Sequence, residues 1–358
     1  MLDSNSCTVL GRSTVRQGRR RLEIPTLGIA LAIYAGFFTL TWFFQKLPLL
    51  LAAPLCALVL AWYASLQHET IHGHPTSSPR INSMLASLPL SLWLPYPVYR
   101  EIHLRHHRYR GRHLTEPIVD TESYYRRPGT LARVGRFQGA LYRANCTLLG
   151  RLVLGPALAI HGIWAAQLRK PVPAGDSLAP AGGSLAGRSV ASRSVGGPMG
   201  QLKSAPRRTT GVLLGHLLGV SVVLAWVVGV CHVPLLVYVG LVVYPSISII
   251  KLRSFIEHRA ADDPDRRTVV VEAGPFWGLI FLYNNLHIAH HAWPTLPWYR
   301  LPRLWREMRA SVIQSCGPEA KLVWQGGYLE LFRAYLLRPA IPVEHPLMAP
   351  DGYPRLGS

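Results

Sequence analysis

Four uncharged apolar runs stand out along the chain, arranged as two pairs. Residues 27–44 read LGIALAIYAGFFTLTWFF, and after Gln45 and Lys46 residues 47–66 read LPLLLAAPLCALVLAWYASL. Residues 212–230 read VLLGHLLGVSVVLAWVVGV, and after Cys231 and His232 residues 233–250 read VPLLVYVGLVVYPSISII. A helix needs about 20 such residues to cross the hydrocarbon of a bilayer. Two residues are enough only for a tight hairpin. The pattern predicts four spans in two hairpins. The competing explanation is a set of core helices in a soluble protein, and two apolar hairpins with basic flanks argue against it.

Charge gives the hairpins an orientation. Arg12, Arg16, Arg19, Arg20 and Arg21 precede the first, Arg207 and Arg208 precede the second, and Lys251 and Arg253 close it. The turns hold only Lys46. Basic residues favour the cytosolic side, so the N-terminus, the long middle segment and the C-terminal third are expected there. In a bacterial cell the membrane would be the inner (plasma) membrane. Residues 141–168 are apolar with spaced arginines and predict an amphipathic helix lying on the bilayer. Residues 171–206 have the Gly, Ser, Ala and Pro composition of a flexible linker. The expected organisation is a basic N-terminal stretch (1–26), a membrane domain (27–302) and a cytosolic C-terminal segment (303–358).

Composition supports this picture. The chain of 358 residues is 49% hydrophobic and only 16% charged, below the roughly 25% of soluble domains. Its net charge of +20 fits either nucleic acid or an anionic membrane surface. Arginines along membrane flanks, with no nucleic-acid-binding module, favour the membrane. Cys7, Cys56, Cys146, Cys231 and Cys316 are scattered, which excludes a disulfide framework, a zinc ribbon and a cysteine-ligated cluster. The N-terminus lacks the pattern of a cleaved signal peptide.

The second run ends on QHETIHGH, residues 67–74, which contains the H-E-x-x-H of zinc proteases. Two further clusters share one spacing: His103, His106 and His107 in HLRHH, and His287, His290 and His291 in HIAHH. His258 follows the fourth run in FIEHR. On a helix, residues three and four apart lie on one side. With His68 and His72, nine imidazoles are expected on the cytosolic side, just past the ends of spans two and four. That is too many for one zinc, which takes four ligands. The set suits two metals with open positions, and nitrogen-rich iron suits dioxygen chemistry. A zinc protease would use Glu69 as general base, but it leaves both H-x-x-H-H clusters unexplained. Glu69 is otherwise expected to orient a histidine from outside the metal shell or to face solvent.

His74 and His113 are read as surface groups near the clusters, and His161, His216, His232 and His345 as structural. Trp93, Tyr96, Tyr99, Trp293, Trp298 and Tyr299 are read as an interfacial belt.

The pattern H-x(3)-H, H-x-x-H-H, H-x-x-H-H around two apolar hairpins resembles the membrane fatty acid desaturase superfamily. That superfamily also holds alkane and fatty acid hydroxylases and carotenoid ketolases. HETIHGHP, REIHLRHHRY and YNNLHIAHHAWPTLPWYRLP are similar to bacterial acyl-lipid desaturase-like and rhizobitoxine-pathway desaturase-like members. The resemblance spans about residues 27–302.

It implies an all-α integral membrane protein: four transmembrane helices in two hairpins, with a cytosolic helical cap holding a histidine-rich di-metal site. It assigns two ferrous ions to His68, His72, His103, His106, His107, His287, His290 and His291, with His258 as the additional ligand and Asn284 at a water-linked position. It implies an enzyme that uses O2 and external electrons to desaturate a fatty-acyl or lipid chain, with a ferredoxin-type or haem protein as donor. Hydroxylation, ketolation or desaturation of a small metabolite is the alternative on the same metals. A metal-binding membrane protein without catalysis is the non-enzyme alternative, against which the intact clusters argue.

Overall fold

The computed structural model of the chain describes residues 22–108, 113–117, 119–168, 206–315 and 321–348. The expected linker lies outside these residues except for Pro206, and the basic stretch 1–21 lies outside them too.

The first hairpin pairs α1 (Ile24–Trp42) with α2 (Leu49–Ile71). Pro25 sits in the first turn of α1, where a missing N–H costs nothing. Phe44–Lys46 and Pro48 make the connection. Next come α3 (Pro79–Ser87), whose N-terminus Ser78 caps by accepting from the Ile81 N–H, and α4 (Tyr96–Arg108). The short α5 (Thr130–Arg133), α6 (Arg136–Ala144) and α7 (Leu148–Leu168) follow. The second hairpin begins with α8 (Pro206–Leu224), which widens into a π-helical turn over Ala225–Val230. Its return arm is α9 (Leu235–Val237), a second π-helical turn over Tyr238–Val243, and α10 (Tyr244–Arg253). Beyond it lie β1 (Val270–Val271), α11 (Gly274–Ile280), α12 (His287–Ala292), α13 (Leu301–Ser315), β2 (Val323–Trp324) and α14 (Gly327–Tyr335).

Among the described residues, five helices are long and apolar enough to cross a membrane: Ile24–Trp42, Leu49–Ile71, Leu148–Ala165, Thr210–Val230 and Leu235–Arg253. Four coincide with the expected runs. The fifth corrects the reading of residues 141–168 as one amphipathic helix. The helix breaks at Asn145–Thr147, the exposed charge stays on α6, and α7 is apolar. The one arginine within that fifth segment, Arg151, is wholly buried, with its guanidinium 3.8 Å from the Tyr124 ring centre. A stacked aromatic face removes the charge from the outer surface of the helix.

Ile33, Phe37, Leu60, Tyr63, Val227 and Val242 fill the interior between the hairpins. Facing outward, Leu50 is 92% exposed and Leu236 84%. Apolar side chains turned outward along helices whose backbone is satisfied internally are what a bilayer covers. The two hairpin turns meet at one end, where Gln45 Nε2 donates to the His232 carbonyl at 2.7 Å. The clustered histidines lie at the other end, at and beyond the last turns of α2 and α10.

A second core, including Phe255, Val270, Phe281, Ala289 and Trp305, lies beneath α12. There β1 pairs in parallel with β2, Val270 opposite Val323 and Val271 opposite Trp324. Val271 N–H donates to the Asn285 carbonyl at 3.0 Å, and Asn285 Nδ2 returns a bond to the Val271 carbonyl at 2.7 Å. The loop into α12 is thus pinned two residues before His287. Just upstream, Leu282 and Tyr283 have φ of 46° and 54°, a left-handed region unfavourable for both. Gly278 makes this bend feasible, because a Cβ there would lie 2.4 Å from Tyr283 Cε1.

Gly278→Ala is expected to displace the Tyr283 ring and destabilise the protein by about 1–3 kcal/mol. Gly215→Ala, whose added Cβ meets nothing within 4 Å, is the matched control. Thermal unfolding in detergent compares the two, and equal melting temperatures would contradict the steric account.

Candidate metal centre

Helix ends bring every expected histidine to one place. His68 lies in the last turn of α2, and His72 is its C-cap. His103, His106 and His107 occupy the last turns of α4, and His287, His290 and His291 lie within α12. His258 is positioned by a bridge to Thr268 and by Val269 N–H donating to the Glu257 carbonyl at 3.0 Å. The nine rings form two groups, each with its nitrogens within 4.8 Å of one another. One is His68, His72, His103, His107 and His290; the other is His106, His258, His287 and His291.

The helical period explains the division. Successive residues turn by about 100°, so i+4 sits about 40° to one flank of i and i+3 about 60° to the other, on one face of the helix. In α4, His103 and His107 share one group and His106 crosses to the other. In α12, His287 and His291 share one group and His290 crosses over in the opposite sense. One H-x-x-H-H segment therefore feeds two sites, and two such helices feed them reciprocally.

Within the groups, Nε2 atoms face each other closely. His72 and His107 each approach His103 at 3.0 Å, and His290 approaches His107 at 3.1 Å. In the other group His258 and His287 lie 3.0 Å apart, His287 and His291 3.1 Å, and His106 and His291 3.3 Å. The outer nitrogens of several rings are already engaged. His103 Nδ1 donates to Glu122 Oε1 at 2.8 Å, and His106 Nδ1 to Asp120 Oδ1 at 2.7 Å. His287 Nδ1 donates to Asn284 Oδ1 at 3.0 Å, and His258 Nδ1 to the Arg267 carbonyl at 3.4 Å.

A neutral imidazole that donates from Nδ1 presents a bare lone pair at Nε2. His258 and His287 therefore oppose two lone pairs with no proton between them. A second proton on either ring is disfavoured. Burial, followed by the charge of neighbouring imidazoles, pushes His287 well below the histidine range and His258 down to about 3. Burial acts likewise on His72, His107, His290 and His291.

A cation between the nitrogens relieves the repulsion. Imidazole nitrogens about 2.1 Å from one ion and at right angles lie about 3.0 Å apart, the spacing of these pairs. The donor set thus fits a metal ion in each group.

Carboxylates surround the rings from outside. Burial acts against ionisation of Asp120 and Glu122, and the adjacent imidazoles overcome it, holding both below the usual carboxylate range. Burial also acts to lower the His106 imidazole, but Glu122 and Asp120 push it up to about 9. The negative potential that would retain a proton there favours a metal cation in its place.

Asn284 touches both groups, with Nδ2 3.2 Å from His68 Nε2 and Oδ1 on His287 Nδ1. Glu69 behaves differently from expectation. It is buried, and its Oε2 accepts the Trp298 N–H at 3.2 Å, so its partner is neither solvent nor a histidine of the three motifs, here boxes one (His68, His72), two (His103, His106, His107) and three (His287, His290, His291). A general base for a zinc protease would have to face the metal. His74, read as a surface group, is also buried, with Nδ1 2.7 Å from Glu23 Oε1. His216 and His345 are structural: one nitrogen of each meets the Leu92 carbonyl and Thr115 Oγ1, respectively. His113 is half-exposed beside Glu116. Two of the expected belt aromatics are buried instead, because their polar ends find partners: Tyr96 with Thr70 and Trp298 with Thr26.

Sequence reasoning missed Asp120, Glu122, Glu257 and Arg253. A signal existed. The chain holds 18 acidic residues against 38 basic, and Asp120 and Glu122 follow box two two residues apart while Glu257 adjoins His258.

The fold and its two nitrogen cages define a helical membrane protein able to hold two metal ions. The family model described as Fatty acid desaturase matches residues 44–321, and the chain belongs to that family, whose members are oxidoreductases. No curated protein matches the chain.

Asp120→Asn keeps the shape beside His106 but removes the charge. Metal affinity is expected to fall about 10- to 100-fold with the fold intact. Metal titration of the metal-free protein reads this, and an unchanged affinity would remove Asp120 from the centre.

Proposed function

We propose that the protein is a membrane-bound di-iron desaturase that removes two hydrogens from adjacent carbons of a fatty-acyl or lipid chain. The observation that carries the proposal is the pair of largely buried imidazole groups whose ring nitrogens converge within 4.8 Å, in a member of the desaturase family. His68, His72, His103, His107 and His290 would hold one ion, and His106, His258, His287 and His291 the other. The five-imidazole group exceeds the four ligands zinc takes, and imidazole donors suit iron. When bound, the two irons supply activation of dioxygen and removal of hydrogen from an unactivated carbon. One O2, two electrons, two protons and a –CH2–CH2– unit balance to –CH=CH– and two waters.

The chain's own residues supply position and dryness. Asp120 and Glu122 fix the tautomers of His106 and His103, leaving Nε2 free for metal. Asn284 links box three to His68, the position expected for a water-linked asparagine. Rings such as His106, wholly buried, are shielded from bulk water that would compete with an acyl chain. The electrons come from a separate protein. An acidic ferredoxin-type or haem protein is complementary to the exposed arginines flanking the site, among them Arg80, Arg100 and Arg300. The basic flanks support a cytosolic site and two cytosolic termini, an arrangement in which one of the five apolar helices, α7, does not complete a crossing.

Metal analysis and Mössbauer spectroscopy of detergent-purified protein test the reading. About two high-spin, coupled irons per chain are expected. A single zinc without iron would overturn it. In lipid extracts of expressing cells, a product two hydrogens lighter is expected, whereas a product one oxygen heavier would make the enzyme a hydroxylase. His106→Ala and His290→Ala are each expected to lower product by more than about 100-fold while insertion persists. Near-normal turnover by either would overturn the proposed ligand set.

A further inference from the structure

Three carboxylates adjoin the histidine groups, Asp120 and Glu257 buried and Glu122 partly so, and they do not occupy equivalent places. Asp120 and Glu122 bind outer Nδ1 atoms, those of His106 and His103. Glu257 faces an inner atom: its Oε2 lies 3.7 Å from His287 Nε2. That nitrogen is the one opposed to His258 and His291 at 3.0 and 3.1 Å. Glu257 therefore stands on the ion side of the four-histidine group. Two ligands about 2.1 Å from one ion lie about 3.0 Å apart at right angles and about 4.2 Å apart when opposite, so 3.7 Å falls inside this span.

The same group is one ligand short of its neighbour, four imidazoles against five. Arg253, one turn before Glu257, holds the same oxygen, its Nη1 donating to Oε2 at 2.6 Å. Both side chains are nearly sealed from solvent, 11% and 7% exposed. A buried ion pair alone is weak support for stability, because desolvation offsets most of the attraction. A carboxylate shared between a guanidinium and a metal ion has more to gain.

We infer that Glu257 is a metal-side carboxylate of the four-histidine site, an oxygen donor whose reach is set by Arg253. The inference rests on the two-iron reading above. It makes the ions chemically unequal, one held by nitrogen alone and the other by nitrogen and oxygen.

The test loads metal-free wild type, Glu257→Gln and the double variant Glu257→Gln/Arg253→Met with ferrous iron. Stoichiometry and Mössbauer spectra are the readouts. Wild type is expected to bind about two irons and give two distinct doublets. In Glu257→Gln one doublet should change, and its iron should bind about 10- to 100-fold more weakly. The double variant removes both buried charges, so it guards against misfolding around an unpaired arginine. It should remain deficient in the same iron.

Two irons with unchanged spectra in Glu257→Gln would overturn the inference while leaving the two-iron reading intact. Full recovery of iron in the double variant would also overturn it, since the carboxylate would then serve only to neutralise Arg253. A wild type that binds no iron would sink the two-iron reading itself, and the inference with it.

Discussion

Lone-pair repulsion at the cap of the bundle is the constraint that organises this protein. Several buried imidazoles turn their basic nitrogens inward at 3.0–3.3 Å, and at least two opposed nitrogens have already given their protons outward. Nothing in an apolar interior relieves such a contact except a cation. The surrounding elements keep the rings there regardless: the sheet pairing under α12, the left-handed bend before it, and the carboxylates on Asp120 and Glu122. The fold holds unfavourable charge distributions in register, and a bound metal ion would make them favourable.

The membrane part and the cap solve different problems. Within the bundle, apolar side chains face outward and the interior is closed by Ile33, Phe37, Tyr63 and Val242. In the cap, buried carboxylates, a buried arginine and histidines pack together, and each needs a partner. Arg253 illustrates the junction. It ends the last of the long apolar helices and also pairs with Glu257 beside the histidines. One residue thus closes the apolar bundle and shapes the electrostatics of the histidine groups.

Much of this was legible in the sequence, for physical reasons. Apolar runs of bilayer length declare themselves without tertiary context, and so do imidazoles at helical spacing. The division of each H-x-x-H-H between two sites was latent in the same spacing but required the orientation of α4 against α12. The fifth apolar helix was obscured by Arg151, whose charge is hidden by Tyr124 from across the fold. Glu69 misled in the opposite direction: next to a ligand histidine in sequence, it turns away to the Trp298 backbone. Asp120, Glu122 and Glu257 were missed because a carboxylate's role depends on which nitrogen it meets, and that is a three-dimensional fact.

The division of each H-x-x-H-H segment between the two histidine groups has a mechanical corollary. Within such a box, the offset from one group to the next is inherited from the backbone, about 1.5 Å of rise and 100° of rotation per residue. Each box acts as a gauge whose markings are peptide units. Exchanging a residue between the markings, such as Leu104 or Ile288, leaves the scale untouched. Inserting or deleting one there reassigns rings from one group to the other. The variation these segments tolerate is therefore substitution at fixed length, while changes of length belong to the connections outside them.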